Sequence, residues 1–225
     1  MFKTYYSLTK PGVLYGNVIT GVAGFLLAAG YFGRFDVWLF IAAIGGMTLV
    51  IAAACVLNNV LDQDIDRIME RTKTRAVAHG DIPGKNATVF SATLGVLGIV
   101  ILALWTNWLV VGIGVFGFVV YVWLYGAFSK RKSIHGTLVG SISGAMPILA
   151  GYCAVSDCID AAAVLVFLML FFWQFPEFYS IAIYSHDEYK KAKIPVMSVV
   201  KGIKNTKIQI FIYTILFVIA TLLLT

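Results

Sequence analysis

The chain has 225 residues, of which 60% are hydrophobic and only 12% charged, and its formal net charge is +6. Soluble domains carry roughly a quarter charged residues, so this composition, with a mean hydropathy of +0.88, excludes an ordinary water-soluble fold and indicates an integral membrane protein. The positive balance calls for no nucleic-acid partner: orientation in the membrane and attraction to the anionic surface of the lipid bilayer account for it.

A helix needs about 20 mostly apolar residues to cross about 30 Å of hydrocarbon. In chain order, Val13 to Phe32, Val37 to Leu57, Ala87 to Trp105, Trp108 to Phe128, Thr137 to Val155, Ala161 to Tyr184 and Ile208 to Thr225 meet that length. They predict an all-α fold, a polytopic transmembrane helical bundle with about seven spans. Strands of a membrane barrel would alternate in polarity, and these runs are continuously apolar. The first run lacks a small-residue cleavage site and leads at once to a second span, which predicts a retained helix. No Arg-rich and Ser-rich transit segment precedes it, pointing to a bacterial plasma membrane. The last run is short and lacks a polar flank, which predicts a truncated span. Cys55, Cys153 and Cys158 are too few and scattered for a disulfide framework or a structural zinc site, and read as packing residues.

Basic residues give the orientation. Of the 17 Lys and Arg, only Arg34 falls on one side of the predicted membrane; all others precede the first span or lie in the loops after the second, fourth and sixth. The positive-inside rule then places the amino terminus and the charged loops in the cytoplasm. The opposite side has minimal turns such as Trp105 to Trp108, where two indoles bracket a polar pair. Gly136, Gly140 and Gly144 repeat at four-residue steps and predict a packing face.

The loop after the second span opens with "NNVLDQDIDRIMERTKTR", Asn58 to Arg75. If the helix continues through it, Asn58, Asp62 and Asp66 share one face while Asp64 points nearly opposite, as an outward solvated residue. Carboxylates at a membrane edge require compensation. Magnesium uses oxygen ligands, often one or two carboxylates together with substrate phosphates. Asn58, Asp62 and Asp66 are therefore the candidate Mg2+ ligands, and Arg71, Lys73, Arg75 and Lys10 candidate phosphate contacts. The competing reading is a solvated loop whose charges pair among themselves.

At these residues the chain resembles the UbiA superfamily of intramembrane prenyltransferases, whose first motif is Asn, Asp, Asp at four-residue steps. The stretches "LTKPGVLYGN", "CVLNNVLDQDIDRIMERTKTR", "GFVVYVWLYGAFSKRKSIHGTLVGSISGAMPILAGY" and "WQFPEFYSIAIYSHDEYKKAKIPVMSVVKG" look like its heme-farnesylating branch and run in family order over nearly the whole chain. The resemblance implies that residues 1–225 form one transmembrane prenyltransferase domain lacking further carboxy-terminal spans. It implies transfer of the farnesyl group of farnesyl diphosphate to a vinyl group of heme b with loss of pyrophosphate. The product would then pass toward heme A synthase or a terminal oxidase.

In that reaction Asn58, Asp62, Asp66 and Glu177 are the candidate catalytic residues. Lys10, Asn17, Arg67, Arg71, Arg75, Lys130 and Asp187 are candidate substrate contacts for the polar end. Tyr121, Tyr125, Phe175, Phe178 and Tyr179 are candidates to shield an allylic cation.

The chain departs from the family pattern at Glu177, where a histidine usually follows the proline of the sixth span. Glu177 accepts a proton, adds to the acidic cluster or anchors the helix on these readings. Ala76, Met146 and Ser198 stand where prolines are common and predict looser loops. The only histidines, His79, His135 and His186, fall in loops, so no axial pair for heme is evident within the spans. Two other functions fit less of the pattern. One is a quinone-pathway prenyltransferase acting on an aromatic acid; the other is a heme carrier or transporter, which would place its charges nearer the midplane.

Overall fold

The computed structural model describes residues 1–224, and among these every regular element is helical. A short amphipathic α1 (Phe2–Leu8) leads to seven helices long and apolar enough to span a membrane: α2 (Pro11–Phe32), α3 (Val37–Leu61), α6 (Gly84–Trp105), α7 (Trp108–Lys132), α8 (Gly136–Ser156), α9 (Ala161–Tyr184) and α12 (Gly202–Leu222). On one side they are linked by short helices: α4 (Gln63–Asp66) and α5 (Ala76–His79) between the second and third spans, α10 (His186–Lys191) and α11 (Met197–Val200) between the sixth and seventh.

The predicted spans are recovered, with ends that run farther on the charged side. α3 continues to Leu61 and α6 begins at Gly84. The final span is not short: α12 covers 21 residues and starts among the lysines. Helical hydrogen bonding does not stop where hydrocarbon ends, and Asn, Gln and Lys remain compatible with helix there. On the opposite side the helices start at side-chain caps. Asp36 accepts from Trp38 and Leu39 amides, Asn107 from Val110, and Asp160 from Ala163, satisfying amides that lack intrahelical partners.

Small residues set the packing. A Cβ on Gly151 would lie 2.0 Å from the Gly21 carbonyl oxygen, and one on Gly24 2.1 Å from that of Ile148. α2 and α8 therefore cross backbone to backbone, the geometry that small residues permit in membranes. Gly46 and Gly98 do the same for α3 and α6. The predicted stripe is mixed: Gly136 faces the backbone of Lys130, whereas Gly140 receives the Tyr125 ring and Gly144 the Gln174 side chain. The core beneath joins Phe25, Met47, Val110, Tyr152 and Val166.

α7 changes its winding at Val120–Ser129, where the turns widen to π-helical pairing. Such segments are rare and concentrate at functional sites. Here the widening brings Tyr121 and Tyr125 into a stack with ring centroids 5.8 Å apart and sets Gly126 against the Asn58 amide.

Candidate functional site

The helical register assumed for the charged loop is realised. The Asp62 amide donates to the Asn58 carbonyl at 2.9 Å and the Asp66 amide to that of Asp62 at 2.8 Å, so the turn carries on across the break between α3 and α4. Asn58, Asp62 and Asp66 consequently face inward and are almost wholly buried.

Four basic groups from three segments of the chain meet them. Lys10 sits in the left-handed region (φ 50) between α1 and α2, a strained conformation for a non-glycine residue, and its ammonium donates to the Asn58 Oδ1. Burial, then the charge of Arg75, lowers the Lys10 pKa to about 8. Lys130 Nζ lies 2.5 Å from Asp62, and Arg75 Nη1 donates to both Asp66 oxygens at 2.8 and 2.9 Å. Arg131 bonds both Asp64 oxygens at 2.7 and 2.8 Å and the Leu61 carbonyl, and approaches Asp62 at 3.8 Å. Asp64 is exposed as expected but is ion-paired rather than simply solvated; the Arg131 hydrogen bonds hold its carboxyl at about 2.

Two polar atoms in this knot are buried without a hydrogen-bond partner, Asp62 Oδ1 and Asn58 Nδ2. A buried orphan oxygen costs about 1–3 kcal/mol and leaves a lone pair for a bound group. No three acidic, His or Cys side chains converge among the described residues, so the knot offers too few carboxylates to enclose a metal by itself. Its two aspartates fit a magnesium ion that takes its remaining ligands from phosphate and water.

Lys130 also lines a chamber of about 550 Å3, a volume in the range of small-molecule sites. The chamber passes between α2, α3, α7, α8 and α9. Measured along α8 from Gly136 to Ala150 it is about 21 Å deep. Its polar end holds Lys130, Tyr125 and Tyr189, and its deep end Met47, Ile113 and Ala150. Below these, the backbone crossing of α2 with α8 closes the floor: a Cβ on Gly21 would touch the Met47 methyl at 3.3 Å. The segment after α9 covers the polar end through a cluster of Ile194 with Ile65 and Met69. Burial there raises the Tyr189 pKa.

The predicted site residues divide accordingly. Asn17, Tyr121, Tyr125, Lys130, Glu177 and Phe178 line the chamber. Asn58, Asp62, Asp66, Lys10 and Arg75 form the knot. Arg71 is exposed beside it, while Arg67 turns away and donates to the Ala78 carbonyl at 3.0 Å. Asp187 is exposed on α10 and contributes nothing to the chamber lining. Phe175 and Tyr179 are corrected: they pack with Tyr213 of the last span, Phe175 stacking on it at 3.7 Å, because they lie on the side of α9 away from the cavity. Ser198 does not loosen its loop; its hydroxyl donates to the Ala182 carbonyl at 2.7 Å. Arg131, Gln174 and Tyr189 were missed. Arg131 follows Lys130 in a run of three cations, and its partner Asp64 is distant in sequence, so nothing local distinguished it.

A model of the UbiA prenyltransferase family matches residues 17–225. The protoheme IX farnesyltransferase of Sodalis glossinidius is 48% identical over all of this chain and 75% of its own length; that of Yersinia enterocolitica is 46% identical with the same coverage. A UbiA homologue from Archaeoglobus fulgidus, solved with GPP and Mg2+, superposes with a TM-score of 0.81 at 15% identity, over 96% of this chain and 76% of that one. At that identity the likeness shows the fold alone.

Proposed function

The chain belongs to the UbiA prenyltransferase family, and from that premise we propose that it transfers the farnesyl group of farnesyl diphosphate to a vinyl group of heme b, releasing pyrophosphate. The observation that carries this reading is the junction at Lys130, which bonds Asp62 in the charged knot and also lines a deep apolar chamber. A substrate with a polyanionic head and a long hydrocarbon tail matches both halves.

The diphosphate would be taken by Lys10, Arg75, Lys130 and Arg71. The first three are already gathered around the aspartates, and their charge favours departure of the leaving group. Asp62 and Asp66, with the Asn58 amide, would hold magnesium jointly with the phosphates; when bound, the metal supplies neutralisation of the diphosphate charge. Asp62 Oδ1, buried and without a hydrogen bond, is the atom best placed for it. Tyr121 and Tyr125 stack beside the chamber, where their faces favour a developing allylic cation. The apolar walls and the cover carrying Ile194 keep water from it. The Lys and Arg asymmetry supports placing the knot at the cytoplasmic face, and the bacterial relatives support a bacterial inner-membrane location. Delivery of product to heme A synthase or a terminal oxidase would follow.

Purified protein in detergent, supplied with farnesyl diphosphate, heme b and magnesium, is expected to yield farnesylated heme by mass spectrometry, and chelation with EDTA to stop it. Prenylation of a hydroxybenzoate in place of heme would overturn the acceptor assignment.

A further inference from the structure

Glu177 has no role in the binding of either half of the donor, yet it stands inside the chamber. It is the one carboxylate among the lining residues; the other charged group is Lys130, and the remaining proton-bearing groups are phenols, hydroxyls, the Cys55 thiol, the Trp173 indole and the Asn17 and Gln174 amides. It makes no hydrogen bond or ion pair with another described residue. Pro176 before it removes an amide from the helix and so frees the Phe172 carbonyl. Glu177 is exposed rather than packed, and an ionisable residue within a spanning helix marks a functional site by default.

Its height in the membrane follows from two contacts. Gly144 faces Gln174 and Gly140 faces the Tyr125 ring, with ideal Cβ positions 2.0 and 3.1 Å from those side chains. α8 and α9 run antiparallel, and Gln174 Nε2 donates to the Ser141 carbonyl at 3.0 Å. Moving from Gly144 to Gly140 climbs about 6 Å toward the knot, and moving from Gln174 to Glu177 climbs about 4.5 Å the same way. Glu177 is thus level with Tyr125, one step below Lys130, where the first carbon of a donor held by its diphosphate must lie.

The reaction needs a base at that height. When the C–O bond of the donor breaks, its electron pair leaves with diphosphate. The π pair of the vinyl group then forms the new C–C bond through its terminal carbon, and the internal carbon is left cationic, conjugated to the pyrrole. That cation is discharged either by the lone pair of a water oxygen, which then loses a proton, or by loss of a C–H proton that restores an alkene. Both routes release one proton. We propose that Glu177 is the catalytic base that accepts it, later returning it to solvent. This inference rests on the prenyl-transfer reading and assigns a step within it. Lys130, Cys55, Tyr121, Tyr125 and Tyr189 are the titratable groups lining the chamber alongside it.

Glu177→Gln keeps size and hydrogen bonding but cannot take a proton. It is expected to slow transfer about 100-fold, the usual worth of a positioned base, with retention of radiolabelled farnesyl diphosphate and of heme b unchanged. Glu177→His supplies another base. It is expected to recover much of the rate, with the acid limb of the pH–rate profile moved upward toward the imidazole range of about 6.5. A Glu177→Gln enzyme within twofold of the parent, or a Glu177→His profile with the parent's acid limb, overturns the assignment while leaving the function reading intact. Absence of heme product from the parent protein overturns the reading and this inference together.

Discussion

Asp62 and Asp64 are two residues apart and both paired to cations of the α7 terminus, but they differ in what surrounds the pair. Asp62 is 0% exposed at its side chain and Asp64 63%. Water screens the Asp64–Arg131 pair, so Asp64→Asn should cost about 0–1 kcal/mol. Asp62→Asn leaves the Lys130 ammonium facing a neutral amide in a largely enclosed site, and uncompensated buried charge typically costs about 3–5 kcal/mol. Thermal unfolding in detergent separates the two: the Asp62 variant should melt clearly lower, the Asp64 variant close to the parent. Transfer activity should follow the same division, falling at least about 100-fold for Asp62→Asn and changing little for Asp64→Asn. Equal losses would mean that the inward and outward faces of the knot have been wrongly separated. The sequence period alone distinguished these faces, since residues four apart share a side and residues two apart do not. What the period could not supply was the partner of each carboxylate, because Lys130 and Arg131 arrive from a different span.

At the scale of the helices, hydropathy found each span because burial in lipid demands a continuous apolar run. It misplaced the charged-side ends, because hydrogen bonding within a helix does not depend on polarity. Apolar content also could not say which side of α9 faces the chamber: Phe175, Phe178 and Tyr179 are all aromatic, and only packing against Tyr213 separates the first and third from the second. Glycines show the same ambiguity and give a sharp test. Gly151→Leu would drive its Cβ into the Gly21 carbonyl and force α2 from α8, costing at least about 1–3 kcal/mol. Gly30 lies in the same α2 with no neighbour within 4 Å of a Cβ, so Gly30→Ala should be neutral or stabilise by up to about 1 kcal/mol. The comparison of melting temperatures for these two variants checks that the crossing, rather than glycine content, holds α2 in place.

Considered as a whole, the molecule separates an ionic mouth from an apolar floor, and that separation makes the floor a limit on substrate length. The chamber is closed at depth by the same α2–α8 crossing that stabilises the bundle, so its length is set by structural packing and cannot relax freely. Met47 is the side chain that projects from α3 onto this floor; it is 5% exposed, lines the chamber and occupies the space that a Cβ on Gly21 would enter. Its unbranched thioether fills an irregular gap. Met47→Ala would remove that plug and lengthen the chamber without touching the knot. Buried Met→Ala changes cost about 2–5 kcal/mol, so some loss of melting temperature is expected. With equal concentrations of farnesyl and geranylgeranyl diphosphate competing for heme b, the product ratio should shift toward the longer chain by about tenfold, the scale on which a small change in apolar fit alters discrimination. Mass spectrometry of the hemes reads that ratio directly and is insensitive to how much variant protein survives. An unchanged ratio would mean that the tail leaves the chamber sideways into lipid before it reaches Met47.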